Sequence, residues 1–158
     1  RLSLVGSEMC IRDRGRLAFA EGDIDTAREH FLKDLDYSER VGDIAGQAKM
    51  YSSVGGCDIE KENFSSALEQ YEKSEQLAES VIDKFFALTG KLDAAFSLGK
   101  HEIFHVAGES LLAVARQAGF VPKDCAGRIL NVLTQYGNLA SLPWSTELAG
   151  LSRKAIEE

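Results

Sequence analysis

Residues 21–31 read Glu-Gly-Asp-Ile-Asp-Thr-Ala-Arg-Glu-His-Phe, and forty positions on, residues 61–71 read Lys-Glu-Asn-Phe-Ser-Ser-Ala-Leu-Glu-Gln-Tyr. Each is a polar turn followed by a small residue, Ala27 or Ala67, and an aromatic one helical turn later, Phe31 or Tyr71. The echo spreads outward at the same spacing. Val41, Val81 and Val121 form one series, and Ile24, Phe64, Phe104 and Trp144 another; Ala107 extends the alanine series, and Leu111 and Leu151 the aromatic one. A fixed period of this length marks stacked supersecondary units, each burying its apolar face on its neighbour. Ile24, Phe64, Phe104 and Trp144 are therefore expected at equivalent inward sites.

Reading outward gives helix pairs. Ile44 to Glu60 forms a first helix, with Tyr51, Val54 and Gly55 on one side. Lys61-Glu62-Asn63 closes it, Ser65 is the expected N-cap of the next helix, and Ala67, Leu68, Tyr71 and Leu77 form its inner stripe. The preceding unit has Glu21-Gly22-Asp23 as its turn, Asp25 as the cap and Ala27, Phe31 and Leu35 as the stripe. A third unit runs from Lys84 to about Phe120, with Ala94, Ala95 and Leu98 on its first helix. A fourth begins near Asp124 after Pro122, and Pro143 suits the first position of its second helix. In that unit Glu147 replaces the small residue, and Leu133, Tyr136, Gly137 and Ala140 fit only when shifted by two positions. The expected fold is all-α, in antiparallel helix pairs with units at about 15–42, 43–82, 83–122 and 123–158. Two prolines, much Ala, Leu and Glu, and few β-branched runs agree.

Residues 1–14, RLSLVGSEMCIRDR, break the repeat and have no convincing apolar period. From Leu4 to Arg14 they look like the conceptual translation of a transposase-type sequencing adapter, and they are set aside as a segment outside the repeat domain 15–158. On that reading the natural N-terminus is missing. The whole chain has a formal charge of −7; removing three cations and two carboxylates with this segment leaves −8. An acidic balance disfavours nucleic acid and anionic membrane surfaces as partners, and no apolar stretch approaches the ~20 residues of a membrane-spanning helix. Cys57 and Cys125 form no CxxC pair and read as reduced thiols, so the expected compartment is the cytoplasm. No cofactor is expected: Gly55-Gly56 lacks the Lys-Ser/Thr that follows in a phosphate loop.

The pattern resembles the tetratricopeptide repeat. Ala27-x3-Phe31 and Ala67-x3-Tyr71 fit that family's second helix, Glu21-Gly22-Asp23-Ile24 its turn, and Val54-Gly55 and Leu98-Gly99 its Leu-Gly step. The resemblance spans Gly15 to Glu158 and is strongest in the first two units. The common unit has about 34 residues, so forty implies a variant with longer helices. The resemblance implies an α-solenoid whose concave surface, lined by first helices, takes up a peptide or partner protein. Carried over by register, the lining would be Lys49, Ser52, Ser53, Gly56, Asp93, Phe96, Lys100 and Tyr136. Lys49 and Lys100 could pair with partner carboxylates. Phe96 and Tyr136 could serve as aromatic anchors, or simply pack between repeats. The family implies a scaffold or sensor without chemistry of its own, often joined to a separate output domain in larger bacterial signalling proteins.

One motif competes. His101-Glu102-Ile103-Phe104-His105 matches H-E-x-x-H, which on a helix would let His101 and His105 bind Zn²⁺ with Glu102 as general base. The forty-residue period instead sets these residues opposite the turns at 21–25 and 61–65, so they are expected in a turn, with Phe104 inward and both histidines in solvent. No third ligand is evident; Glu109 and Asp124 are the nearest carboxylate candidates. His30, without a comparable partner, is expected at the surface.

Overall fold

The computed structural model describes residues 2–137 and 142–158, with side chains from Ile11 onward. Among the described residues all regular structure is helical: α1 (Leu2–Ala20), α2 (Ile24–Val41), α3 (Ile44–Glu60), α4 (Phe64–Leu77), α5 (Val81–Ser97), α6 (His101–Ala118), α7 (Lys123–Tyr136) and α8 (Pro143–Glu157). The chain divides into two compact units, Arg1–Ala78 and Glu79–Glu158.

In the first unit α1 packs on α2, α2 on α3 and α3 on α4. Short connections make successive helices antiparallel. Ala27, Phe31, Leu35, Met50, Val54 and Cys57 form its core. Tyr71 lies on Gly55, where an added Cβ would stand 2.9 Å from the ring. In the second unit the hairpins α5–α6 and α7–α8 stack like on like, α5 on α7 and α6 on α8. Their core includes Phe85, Leu92, Phe104, Leu111, Ile129, Leu133, Trp144 and Leu148.

Four connections share one hydrogen-bonding scheme. Gly22 and Asp23 donate their backbone N–H to Phe19 and Ala18, Gly42 and Asp43 to Glu39 and Ser38, Glu62 and Asn63 to Ile59 and Asp58, and Gly99 and Lys100 to Phe96 and Ala95. The first residue of each pair is left-handed, with φ of 84°, 72°, 60° and 68°. This is the Schellman ending, which satisfies the last carbonyls of one helix and turns the chain into the next. It also corrects the expected caps. The next helix resumes two residues after the left-handed one, so Asp23, not Asp25, caps α2, accepting from Thr26 N at 3.3 Å. Asn63, not Ser65, precedes α4, and it makes no side-chain cap bond.

The period is not constant. In the α1–α2, α3–α4 and α5–α6 turns the left-handed residues stand at 22, 62 and 99, so the second interval is three residues shorter than the first. The shortfall arises in α4, with 14 residues against 18 in α2. The chain then enters α5 at Val81, capped by Ser80 Oγ accepting from Asp83 N at 3.1 Å. The unit boundary expected at 82/83 therefore falls inside the first turn of α5. Leu98-Gly99 belongs to the α5–α6 turn and not to a first helix.

Positions forty apart are consequently not all equivalent. Ile24 and Phe64 open α2 and α4 and are half-buried, whereas Phe104 sits one turn inside α6 and is fully buried beside Trp144. Val41 is 56% and Val81 41% exposed, but Val121 only 4%. The inner stripe tolerates the slip, because three residues come close to one 3.6-residue turn. Ala27, Ala67 and Ala107 are all buried, as are Phe31, Tyr71 and Leu111. On α4 Ser74 is buried and Leu77 only half-buried. The step from α5 to α7, from 81 to 123, is two residues longer than forty, which is the shift the fourth unit requires. Gly137 ends α7 in the left-handed region, and Ala140 lies outside the described residues.

α1 runs without a break through the boundary expected at 14/15. Arg12 Nε lies 2.8 Å from Asp34 Oδ2, and Gly15 lies against the Phe31 ring. His30 departs from its expected surface position: it is half-buried near Gly15, and its enclosed Nδ1 has no hydrogen-bond partner among the described residues.

Candidate functional site

The residues expected to line a binding surface divide between the units. In the first, Lys49 is exposed on α3. Ser53 Oγ donates to Lys49 O at 3.0 Å, a bond internal to the helix. Ser52 Oγ lies 2.7 Å from Ser74 Oγ, whose own proton goes to Ala48 O at 2.7 Å. Ser52 thus ties α3 to α4 and faces a neighbouring helix. Gly56 is half-buried near the Tyr71 hydroxyl.

In the second unit two of the expected residues, Phe96 and Tyr136, come together around the core residue Phe104. Phe96 from α5, Phe104 from α6 and Tyr136 from α7 form an aromatic cluster: Tyr136 stacks on Phe104 at 5.0 Å and 20°, and Phe96 lies 5.9 Å from Phe104 and 6.4 Å from Tyr136. Phe96 and Tyr136 are half-buried, so each has one side in the core and one available. Lys100 is exposed and immediately precedes α6. Asp93 bridges α5 to α7 through Arg128 at 3.1 Å.

The histidine motif is placed differently from expectation. His101 opens α6 and His105 follows on the same continuous helix, because the preceding turn comes three residues early. Phe104 is buried as expected. His101 is exposed, while His105 is half-buried and lies edge-on to Trp144, with ring centroids 6.1 Å apart. Among the described residues no three His, Cys, Asp or Glu side chains converge as a metal site would need.

Two clefts between second helices escaped the sequence reading. In the first unit a cleft of about 500 Å³ between α2 and α4 is lined by Asp25, Arg28, Glu29, Asp58, Lys61 and Ser66. Asp58 is buried at its base, accepting from Arg28 Nε at 2.8 Å and Ser66 Oγ at 2.7 Å. Lys61 pairs with Asp25 across the mouth. In the second unit a groove of about 350 Å³ between α6 and α8 is lined by Glu109, Leu112, Ala113, Arg116, Trp144 and Glu147. Arg116 forms a two-pronged ion pair with Glu147, which holds that carboxyl below its ordinary range. Neither cleft carries a repeated sequence signal; both arise from which residues the helix spacing brings opposite each other.

Cys57 and Cys125 are buried free thiols. Burial raises the Cys57 thiol to about 11, with Asp58 adding to the effect. Burial also raises Cys125, partly offset by a hydrogen bond with Thr89. Among the described residues no helix is long and apolar enough to cross a membrane. In comparisons with known proteins, no family model, curated protein or solved structure matches the chain.

Proposed function

We propose that this chain is a helical-repeat interaction module of the tetratricopeptide kind, an α-solenoid that binds a peptide or protein partner on faces carried by its first helices. The observation that carries the reading is the recurrence of one left-handed turn, with the same two hydrogen bonds, at α1–α2, α2–α3, α3–α4 and α5–α6. Repetition of one hairpin is how solenoids build an extended binding surface from short-range contacts. The half-exposed pair Phe96 and Tyr136 supplies aromatic anchor surface, and the exposed Lys49 and Lys100 supply cations for partner carboxylates.

A random peptide library selected on the immobilised chain tests this. Enriched peptides should lose at least about tenfold in affinity, roughly 1.4 kcal/mol, on Tyr136→Ala or Lys100→Glu in the second unit, or on Lys49→Glu in the first. No enrichment, or binding indifferent to all three substitutions, would refute the reading. A second reading, a zinc-dependent hydrolase using His101, Glu102 and His105, gains support from the one continuous helix that holds both histidines four apart. Elemental analysis separates the two: stoichiometric zinc that disappears in His101→Ala would favour the hydrolase.

A further inference from the structure

The groove between α6 and α8 has an apolar floor and one free charge. Leu112 and Trp144 form its base, each 6% exposed, and Ala113 and Pro143 its walls. Val106, one turn before the groove on α6, is 52% exposed. The charges are unequal in their state. Arg116 and Glu147 neutralise each other at one end. Glu109 is exposed and has no ion-pair partner among the described residues, so the open charge at the groove is negative. The volume, about 350 Å³, lies at the low end of the range for small-ligand pockets, about 300–1,000 Å³.

We infer that this groove docks a basic, apolar peptide segment, with a lysine or arginine of the partner against Glu109 and small aliphatic side chains on the Leu112–Trp144 floor. Charge selects the sign of the occupant. An acidic segment would meet Glu109, whereas a cation is drawn to it. Affinity must come mainly from the apolar floor, since an exposed ion pair contributes only about 0–1 kcal/mol. The inference is independent of the first-helix reading, which stands or falls on Lys49, Lys100 and Tyr136.

Trp144 is the chain's single tryptophan and its indole lines the groove, so its emission reports occupancy directly. The test titrates the intact chain with a blocked tetrapeptide, Ala-Lys-Leu-Ala, and with its glutamate counterpart, Ala-Glu-Leu-Ala. The expected result is a saturable change with the lysine peptide that weakens about three- to fivefold in Glu109→Gln and vanishes in Ala113→Arg, which fills the groove from an exposed position. The inference fails if the lysine peptide does not saturate, if the glutamate peptide binds equally, or if Glu109→Gln leaves binding unchanged. Concentration-dependent self-association abolished by Ala113→Arg would overturn it in favour of a second copy.

Discussion

The two second-helix clefts occupy corresponding places in their units and are held by different physics. Between α2 and α4 the space is bridged by charge: Arg28 and Ser66 converge on buried Asp58, and Lys61 reaches Asp25. Between α6 and α8 the helices pack directly, with Trp144 laid on Gly108 so closely that a Cβ there would stand 2.3 Å from the ring. The charge distribution follows the same division. Residues 1–78 carry sixteen carboxylates and ten cations, while 79–158 carry nine and eight. A repeated backbone scheme therefore does not impose a repeated means of cohesion; each pair of helices fills the same niche with whatever its side chains allow.

The sharpest way to break the contrast is at Trp144. Trp144→Ala should cost about 3–5 kcal/mol, because it empties the centre of the aromatic cluster with Phe104 and His105. Denaturant unfolding followed by circular dichroism measures it, and a loss below about 1 kcal/mol would mean that α6 and α8 are not held by this contact. Arg28→Ala comes next. It should cost about 2–3 kcal/mol, the lower side of what losing one partner of a buried ion pair costs, because Arg28 keeps 32% of its side chain exposed and Ser66 still bonds Asp58. Replacing both partners, Arg28→Met with Asp58→Leu, should recover most of that loss. If the double variant is no better than the single, the cleft depends on charge for more than satisfying Asp58.

How far the sequence exposed this arrangement depends on what decided each part. The α3 span Ile44–Glu60 is legible to the residue, because Asp43 and the turn after Glu60 bracket an apolar run. The Ala-x3-aromatic stripe is legible because burial and helix period act on the same positions. The third turn is not legible from the period: α4 stops at Leu77 without a glycine, and nothing before Ser80 announces the three-residue shortfall. That one slip moved His101 and His105 from an expected turn onto a helix. Register alone points to Phe96 and Tyr136, whose half-buried rings lie 6.4 Å apart, yet it points equally to Ser52, which spends its hydroxyl on α4. Register fixes which helix a residue belongs to, but a rotation of one position decides whether it meets solvent or a neighbour. The clefts depend on side chains 30 or more residues apart, such as Arg28 with Asp58 and Arg116 with Glu147, and no local pattern encodes such meetings.

A smaller effect reads the cores of the units by pH. Cys57 lies in the first unit's core with its thiol raised from 9.0 to about 11. A folded-state value above the unfolded one means that the folded chain holds its proton longer, so this contribution is complete below pH 9 and is lost as pH rises through 11. Cys57→Ala removes the titration while leaving the fold otherwise alike. The stability difference between wild type and variant should shrink from pH 8 to pH 11 as the wild type must keep a thiol neutral; a constant difference would show that the thiol is not held neutral in the core. Cys125 should behave likewise in the second unit.

The smallest expected effect tests the turns themselves. Glu62 occupies the left-handed position that glycine fills at 22 and 99, and it is the one non-glycine residue with positive φ among the described residues. A side chain there costs about 1 kcal/mol relative to glycine, partly offset because glycine also gives the unfolded chain more freedom to lose. Glu62→Gly should therefore stabilise the chain by about 0.5 kcal/mol, read as a small rise in the denaturant midpoint at unchanged slope. Gly22→Ala and Gly99→Ala should each move the midpoint the other way by a similar amount, since both have open space around a Cβ and only the backbone resists it. Equal and opposite shifts at the three positions would establish that the turns are energetically interchangeable although the clefts they border are not. A loss of stability in Glu62→Gly would instead mean that the glutamate side chain contributes more to the α3–α4 turn than its conformation costs.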